Sequence, residues 1–161
     1  MVIILMGVAG VGKKTVGQHL AAGLGWRFLD ADAFHSPESV AKMASGTPLT
    51  DEDRAPWLER LRALILEALE ARAPLVLACS ALRRAYREQL VVDPARVRLV
   101  YLRGSRELIA RRLAERRGHF MPPDLLASQY LTLEVPEDAL AVDVEGNPDA
   151  VVAAIRGGLG V

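Results

Sequence analysis

The clearest chemistry in the chain lies near its start, in Gly7-Val8-Ala9-Gly10-Val11-Gly12-Lys13. Closely spaced glycines let backbone N–H groups point inward at phosphate oxygens, and the lysine behind them adds a full positive charge toward the outer phosphates. Such a loop works only between a strand and a helix. Val2–Met6 before it is a continuous apolar run that reads as a buried strand, and Val16, Leu20 and Leu24 behind it form a helical stripe. A phosphate-binding loop is therefore predicted. Its nucleotide contacts are Gly7, Val8, Ala9, Gly10, Val11, Gly12 and Lys13, with Lys14 and Thr15 at the helix start.

One position breaks the rule. The pattern GxxxxGK[ST] needs a hydroxyl after the lysine to ligate Mg²⁺, and here Lys14 stands in that place. Thr15 follows one residue late. A single helical step turns a side chain by about 100°, so Thr15 does not simply replace the missing ligand.

A second chemical group follows the next predicted strand, residues 27–30. In an open parallel sheet, ligands sit outside the carboxyl ends of the strands. Asp30 and Asp32 fall there, beside the mouth of the loop, where they could hold hydrated Mg²⁺ or accept a proton from a substrate hydroxyl. Arg54, at the start of a long predicted helix, opposes the helix dipole and so is a candidate for facing an anion. Arg83, Arg84, Tyr86 and Arg87 follow another strand end, which favours an anion site over a solvated face. Arg116, Arg117 and His119 tip a predicted helical hairpin, a candidate mobile lid; His119 is equally readable as an ordinary loop histidine.

These groups need a scaffold, and the rest of the chain supplies one. With 161 residues, 51% of them apolar and 25% charged, it suits one soluble domain, residues 1–161. Lys+Arg and Asp+Glu both number 20, a balance that argues against a general nucleic-acid binder. The apolar start is too short to span a membrane and lacks a basic flank. Cys79, the only cysteine, allows no internal disulfide and suits a reducing cytoplasm. Strands are predicted at residues 2–6, 27–30, 75–79, 97–102 and 140–144. Helices are predicted at 16–25, 37–44 (capped by Ser36), 51–72, 81–90, from Ser105 onward, at 124–131, and after Asn147 as far as Gly157-Gly158. Trp57 reads as core. Strands and helices alternate, which implies βαβ units around a parallel sheet of about five strands with helices on both faces.

At this point a family resemblance emerges. The phosphate loop and the run from Leu24-Gly25-Trp26 to Asp32 are shared broadly with shikimate kinases. More specific are His35, then Lys42-Met43, and then Gly46-x-Pro48-Leu49-x-Asp51-x-Asp53-Arg54-x-Pro56-Trp57-Leu58. Cys79-Ser80-Ala81-Leu82-Arg83-x-x-Tyr86-Arg87 follows, then Arg117-Gly118-His119-Phe120, Ser128-Gln129 and Leu133-Glu134. With these blocks in this order, the chain resembles the gluconate kinases (gluconokinases) of the P-loop small-molecule kinase group, from the first strand to about Val144.

The resemblance implies an α/β, P-loop nucleoside-kinase-like three-layer fold with a helical lid over about residues 105–132. It implies ATP and Mg²⁺ as cosubstrates and transfer of the γ-phosphoryl group to the 6-hydroxyl of D-gluconate. It also implies a cytoplasmic homodimer. On it, Lys13, Arg112 and Arg116 steady the phosphates, Asp32 (with Asp30 as the alternative) orients the attacking hydroxyl, and Asp30 serves the metal. The expected sugar-acid contacts are Asp32, His35, Lys42, Arg54, Ser80, Arg83, Arg87, His119 and Gln129. Two other readings stay open: another metabolite kinase of the shikimate kinase kind, and a nucleotide-binding protein whose catalysis is impaired by Lys14.

Overall fold

The computed structural model describes residues 1–115 and 123–161. Five parallel strands form one sheet in the order β2-β3-β1-β4-β5. They are β1 (Val2–Met6), β2 (Arg27–Asp30), β3 (Leu75–Ala78), β4 (Val97–Arg103) and β5 (Leu140–Asp143). The chain leaves β1 toward β2 and β3 on one side, then crosses to β4 on the other. The sheet therefore switches direction at the carboxyl end of β1, where a ligand crevice is expected and where the phosphate loop emerges.

The alternation of β1 divides the core into two layers. Val2, Ile4 and Met6 face Leu75, Leu77 and the buried stripe Trp57, Leu61 and Ile65 of α3 (Asp51–Glu70). Ile3 and Leu5 face Val76, Val100 and Leu102 on the other side. That layer is closed by Leu20 of α1 (Lys13–Leu24), Ile109 of α5 (Arg106–Glu115), Leu126 of α6 (Pro123–Thr132) and Ile155 of α7 (Pro148–Leu159). A three-layer α/β sandwich results, as expected. None of the described helices is long and apolar enough to cross a membrane.

The short helix α2 (Pro37–Ala44) begins as predicted, with Ser36 Oγ accepting from Ser39 N at 3.1 Å. Several other boundaries differ from expectation, three of them with a clear local cause. Helix α1 starts at Lys13 rather than residue 16, with Gly12 at φ 102° as its N-cap. Helix α4 spans only Arg84–Leu90, because Ala81 sits in the left-handed region at φ 45° and holds the chain out of helix after β3. Helix α7 runs through Gly157 and Gly158 and closes at Gly160. A Cβ on Gly158 would lie 2.5 Å from Leu140, so the second glycine permits close packing on β5 rather than ending the helix.

Candidate active site

The phosphate loop is shaped by contacts that need glycine. A Cβ on Gly7 would stand 2.7 Å from the Leu102 carbonyl oxygen, and one on Gly10 (φ 82°) would stand 2.6 Å from Leu113 of α5. Lys13 Nζ turns back over its own loop and donates to the carbonyls of Gly7 and Val8 at 2.8 and 3.0 Å. Gly7 N donates to Ser80 O at 3.3 Å, which brings the end of β3 against the loop. Ala9 N donates to Gln129 Oε1 of α6 at 2.6 Å.

The acidic pair lies at the same end of the sheet. Asp30, paired in register with Ala78, accepts from Asp32 N at 3.0 Å and so caps the 3₁₀ turn Ala31–Phe34. The Asp32 side chain is 78% exposed at the mouth. Burial pushes the Cys79 thiol up to about 12, the Ala81 backbone N–H opposes that, and the charges of Asp32, Lys13 and Asp30 all act on the same sulfur.

His35 closes the 3₁₀ turn. Its ring stacks on Trp57 and its Nε2 lies 4.0 Å from Asp32 Oδ1. Trp57 Nε1 donates to Ala31 O at 2.7 Å. A tryptophan read as core from sequence therefore also fixes the turn that carries Asp32 and His35. Nothing in its spacing distinguishes that second role.

Arg54 is held rather than free. Its Nη1 donates to Leu49 O at 2.9 Å and to Tyr86 Oη at 3.3 Å, and its guanidinium lies over the Tyr86 ring. Tyr86 in turn donates to Asp51 Oδ1 at 2.7 Å, which ties α4 to the start of α3. Lys42 is engaged by Asp53 at 2.9 Å, and Asp53 completes a capping box with Thr50. The Thr50 backbone N–H and the Lys42 ammonium hold the Asp53 carboxyl down at about 2.

Ser80 is half-buried next to the loop, and Arg83 is exposed at the N-cap of α4. Arg87 departs from its expected role. It is 7% exposed and its guanidinium donates to the carbonyls of Ala81, Leu82 and Glu134 at 2.8, 3.1 and 2.8 Å. Buried among backbone acceptors, it braces the segment after β3 instead of facing the cleft. Arg112 donates to Val144 O at 2.6 Å and, with Gly10, Gly12, Thr15 and Asn147, borders a cavity of about 330 Å³ beside the loop. Gln129, expected among the sugar contacts, is set on the phosphate loop. Lys14 is exposed and makes no hydrogen bond or ion pair with the described residues. Helices α5 and α6 fall where the two arms of the hairpin are expected; its tip, with Arg116 and His119, lies outside the described residues.

Comparison with known proteins finds similar chains. The profile of the AAA domain family matches residues 2–136. A gluconokinase of Gluconobacter oxydans (strain 621H) is 48% identical over 153 residues, covering 93% of this chain and 86% of that protein. The crystal structure of a gluconokinase from Sinorhizobium meliloti 1021 superposes with a TM-score of 0.87 at 44% identity, covering 98% of this chain and 90% of the other. A shikimate kinase from Aquifex aeolicus, at 22% identity and a TM-score of 0.61, shares the fold alone.

Proposed function

This chain belongs to the gluconokinase family, and from that membership and the site it builds we infer that it phosphorylates D-gluconate with ATP, giving 6-phospho-D-gluconate. The observation that carries the reading is that the glycine loop with Lys13 after β1, Asp30 and Asp32 after β2, and Ser80 after β3 all stand at the carboxyl ends of adjacent parallel strands, with Gly7 N bonded to Ser80 O. Phosphoryl transfer asks for positioning and charge stabilisation rather than covalent chemistry, and these are the groups it uses.

In this proposal the backbone N–H groups of the loop and Lys13 take the phosphates, with Arg112 at the cavity beside Thr15. Asp32, exposed and 4.0 Å from His35, orients the 6-hydroxyl and receives its proton. Arg54, immobilised by Leu49 and Tyr86, is the group best prepared to take the sugar-acid carboxylate, since a guanidinium with fixed geometry binds a carboxylate in two-point fashion. Arg83 and Ser80 flank the same crevice.

Mg²⁺ fits this donor set with one change. Such sites combine one or two carboxylates with phosphate oxygens and water. Asp30 supplies the carboxylate, while Lys14 has no lone pair to offer where a hydroxyl would stand. When bound, the ion neutralises charge developing on the phosphates. The expected homodimer and cytoplasmic location belong to the same proposal, and sizing in solution tests the first.

The experiment is a phosphorus NMR assay of ATP with gluconate, shikimate and related acids. It is expected to show a phosphate monoester on C6 of gluconate. Turnover of shikimate with none of gluconate would overturn the reading.

A further inference from the structure

The hydrogen bond from Ala9 N–H to Gln129 Oε1 spans 120 positions at 2.6 Å. Ala9 offers only a donor, so the partner atom must be the carboxamide oxygen. Phosphate loops bind by aiming such N–H groups at anionic oxygens, and one N–H serves one acceptor well. Here a neutral side-chain oxygen occupies a donor of that kind.

Gln129 is delivered to the loop by a fixed helix. Leu126 of α6 is buried in the sheet layer, Tyr130 packs under the Arg106 guanidinium, and Glu134 N after the helix donates to Leu82 O at 2.8 Å. The loop, in turn, has its shape from other contacts: Leu113 against Gly10, Lys13 on two carbonyls, Gly7 N on Ser80 O and Val11 N on Val8 O. Losing Gln129 removes an occupant of the loop and leaves its supports.

We propose that Gln129 sets nucleotide affinity by standing in for a phosphate oxygen at Ala9, so that ATP gains this N–H only by displacing it. The inference rests on the kinase reading for its ligand, and it assigns Gln129 to the phosphate side of the site rather than to the sugar acid. Since the exchange trades one hydrogen bond for another, its size is that of one net hydrogen bond, about two- to tenfold in affinity.

The test is equilibrium binding of ATP and, separately, of gluconate to the wild-type chain and to Gln129→Met, Gln129→Ala and Gln129→Glu. Thermal unfolding checks that each variant is folded. Met and Ala remove the competing oxygen and are expected to tighten ATP binding about two- to tenfold. Glu keeps an acceptor on Ala9 and adds negative charge, so ATP binding is expected to weaken. Gluconate binding is expected to hold in the Met and Ala variants. A merely structural role would weaken ATP binding in all three, and that result overturns the proposal, as does unchanged ATP binding in the folded Met and Ala variants. Loss of gluconate binding with ATP unchanged returns Gln129 to the sugar side. Should no form bind gluconate, the gluconokinase reading fails while the order of ATP affinities still decides the role of Gln129.

Discussion

The rings of His35 and Trp57 stack with centroids 4.3 Å apart and planes 14° from parallel. The pair joins the turn behind β2 to the second turn of α3. Through it, a residue of the hydrophobic layer governs where Asp32 stands.

Trp57→Phe keeps an aromatic face for His35 but removes the N–H that meets Ala31 O. A buried carbonyl then loses its partner, at a cost of about 1–3 kcal/mol. The expected result is a lower urea midpoint and a raised KM for gluconate, with the KM for ATP nearly unchanged. Equal changes in both KM values would show that the pair does not serve the sugar side in particular.

His35 also makes stability depend on pH. Its side chain is 5% exposed and its Nδ1 has no hydrogen-bond partner among the described residues. Burial lowers its pKa below the ordinary 6.5; Asp32 opposes this and Arg54 adds to it. The unfolded chain therefore binds this proton more readily than the folded one, so stability rises with pH across the interval. It is full above about 6.5 and is lost as pH falls through the lowered folded value. Urea unfolding between about pH 7.5 and pH 5.5 is expected to show a loss toward acid that His35→Gln reduces. An identical slope in the variant would assign the pH dependence to other groups.

Arg83 and Arg87 separate a binding role from a bracing one. Arg87→Met takes the donor from the Ala81 and Glu134 carbonyls, while Leu82 O keeps Glu134 N, and is expected to cost about 2–3 kcal/mol, read from the urea midpoint, while the folded fraction keeps its KM for gluconate. Arg83, exposed at the N-cap of α4, is expected to do the reverse: Arg83→Met leaves the midpoint in place and raises the gluconate KM. Stability loss at Arg83 with none at Arg87 would contradict the hydrogen bonds described.

Much of this was legible from local pattern. A continuous apolar run located β1, and the cap residues Ser36, Ser105 and Asn147 make the bonds their types predict, at 3.1, 3.1 and 2.9 Å. What sequence did not show depended on distant partners. Arg87 looks like its neighbours in a basic run, and the carbonyls that draw its guanidinium inward include that of Glu134, 47 positions away. Gly157-Gly158 signals a helix end by propensity, yet packing against Leu140 overrides it. Lys42 pairs with an Asp53 already fixed by its capping box, a link between two helices that spacing alone does not show. The acidic pair and the phosphate loop were found because both lie at strand ends, where topology rather than packing decides placement.

Lys14 gives the last prediction. It is the second residue of α1, whose first turn holds two lysines and no acid and whose N-cap offers no side-chain acceptor. Two ammonium groups at the positive end of a helix are unfavourable until an anion arrives. Lys14 is exposed and bonds to none of the described residues, so its replacement is expected to leave stability within about 0.5 kcal/mol. Its consequence lies with the metal. An ammonium carries three donors and no lone pair, so it cannot ligate Mg²⁺, and its charge opposes a cation beside the phosphates. Lys14→Ser restores a hydroxyl at that position. In a magnesium titration of the kinase rate, the variant is expected to reach half-maximal rate at lower Mg²⁺ and to turn over faster. ATP affinity measured without metal should fall, because a positive charge near the phosphates is gone. The two readouts move in opposite directions only if Lys14 acts on both phosphate and metal. If the magnesium dependence and the rate both match the wild type, Lys14 does not perturb the metal site.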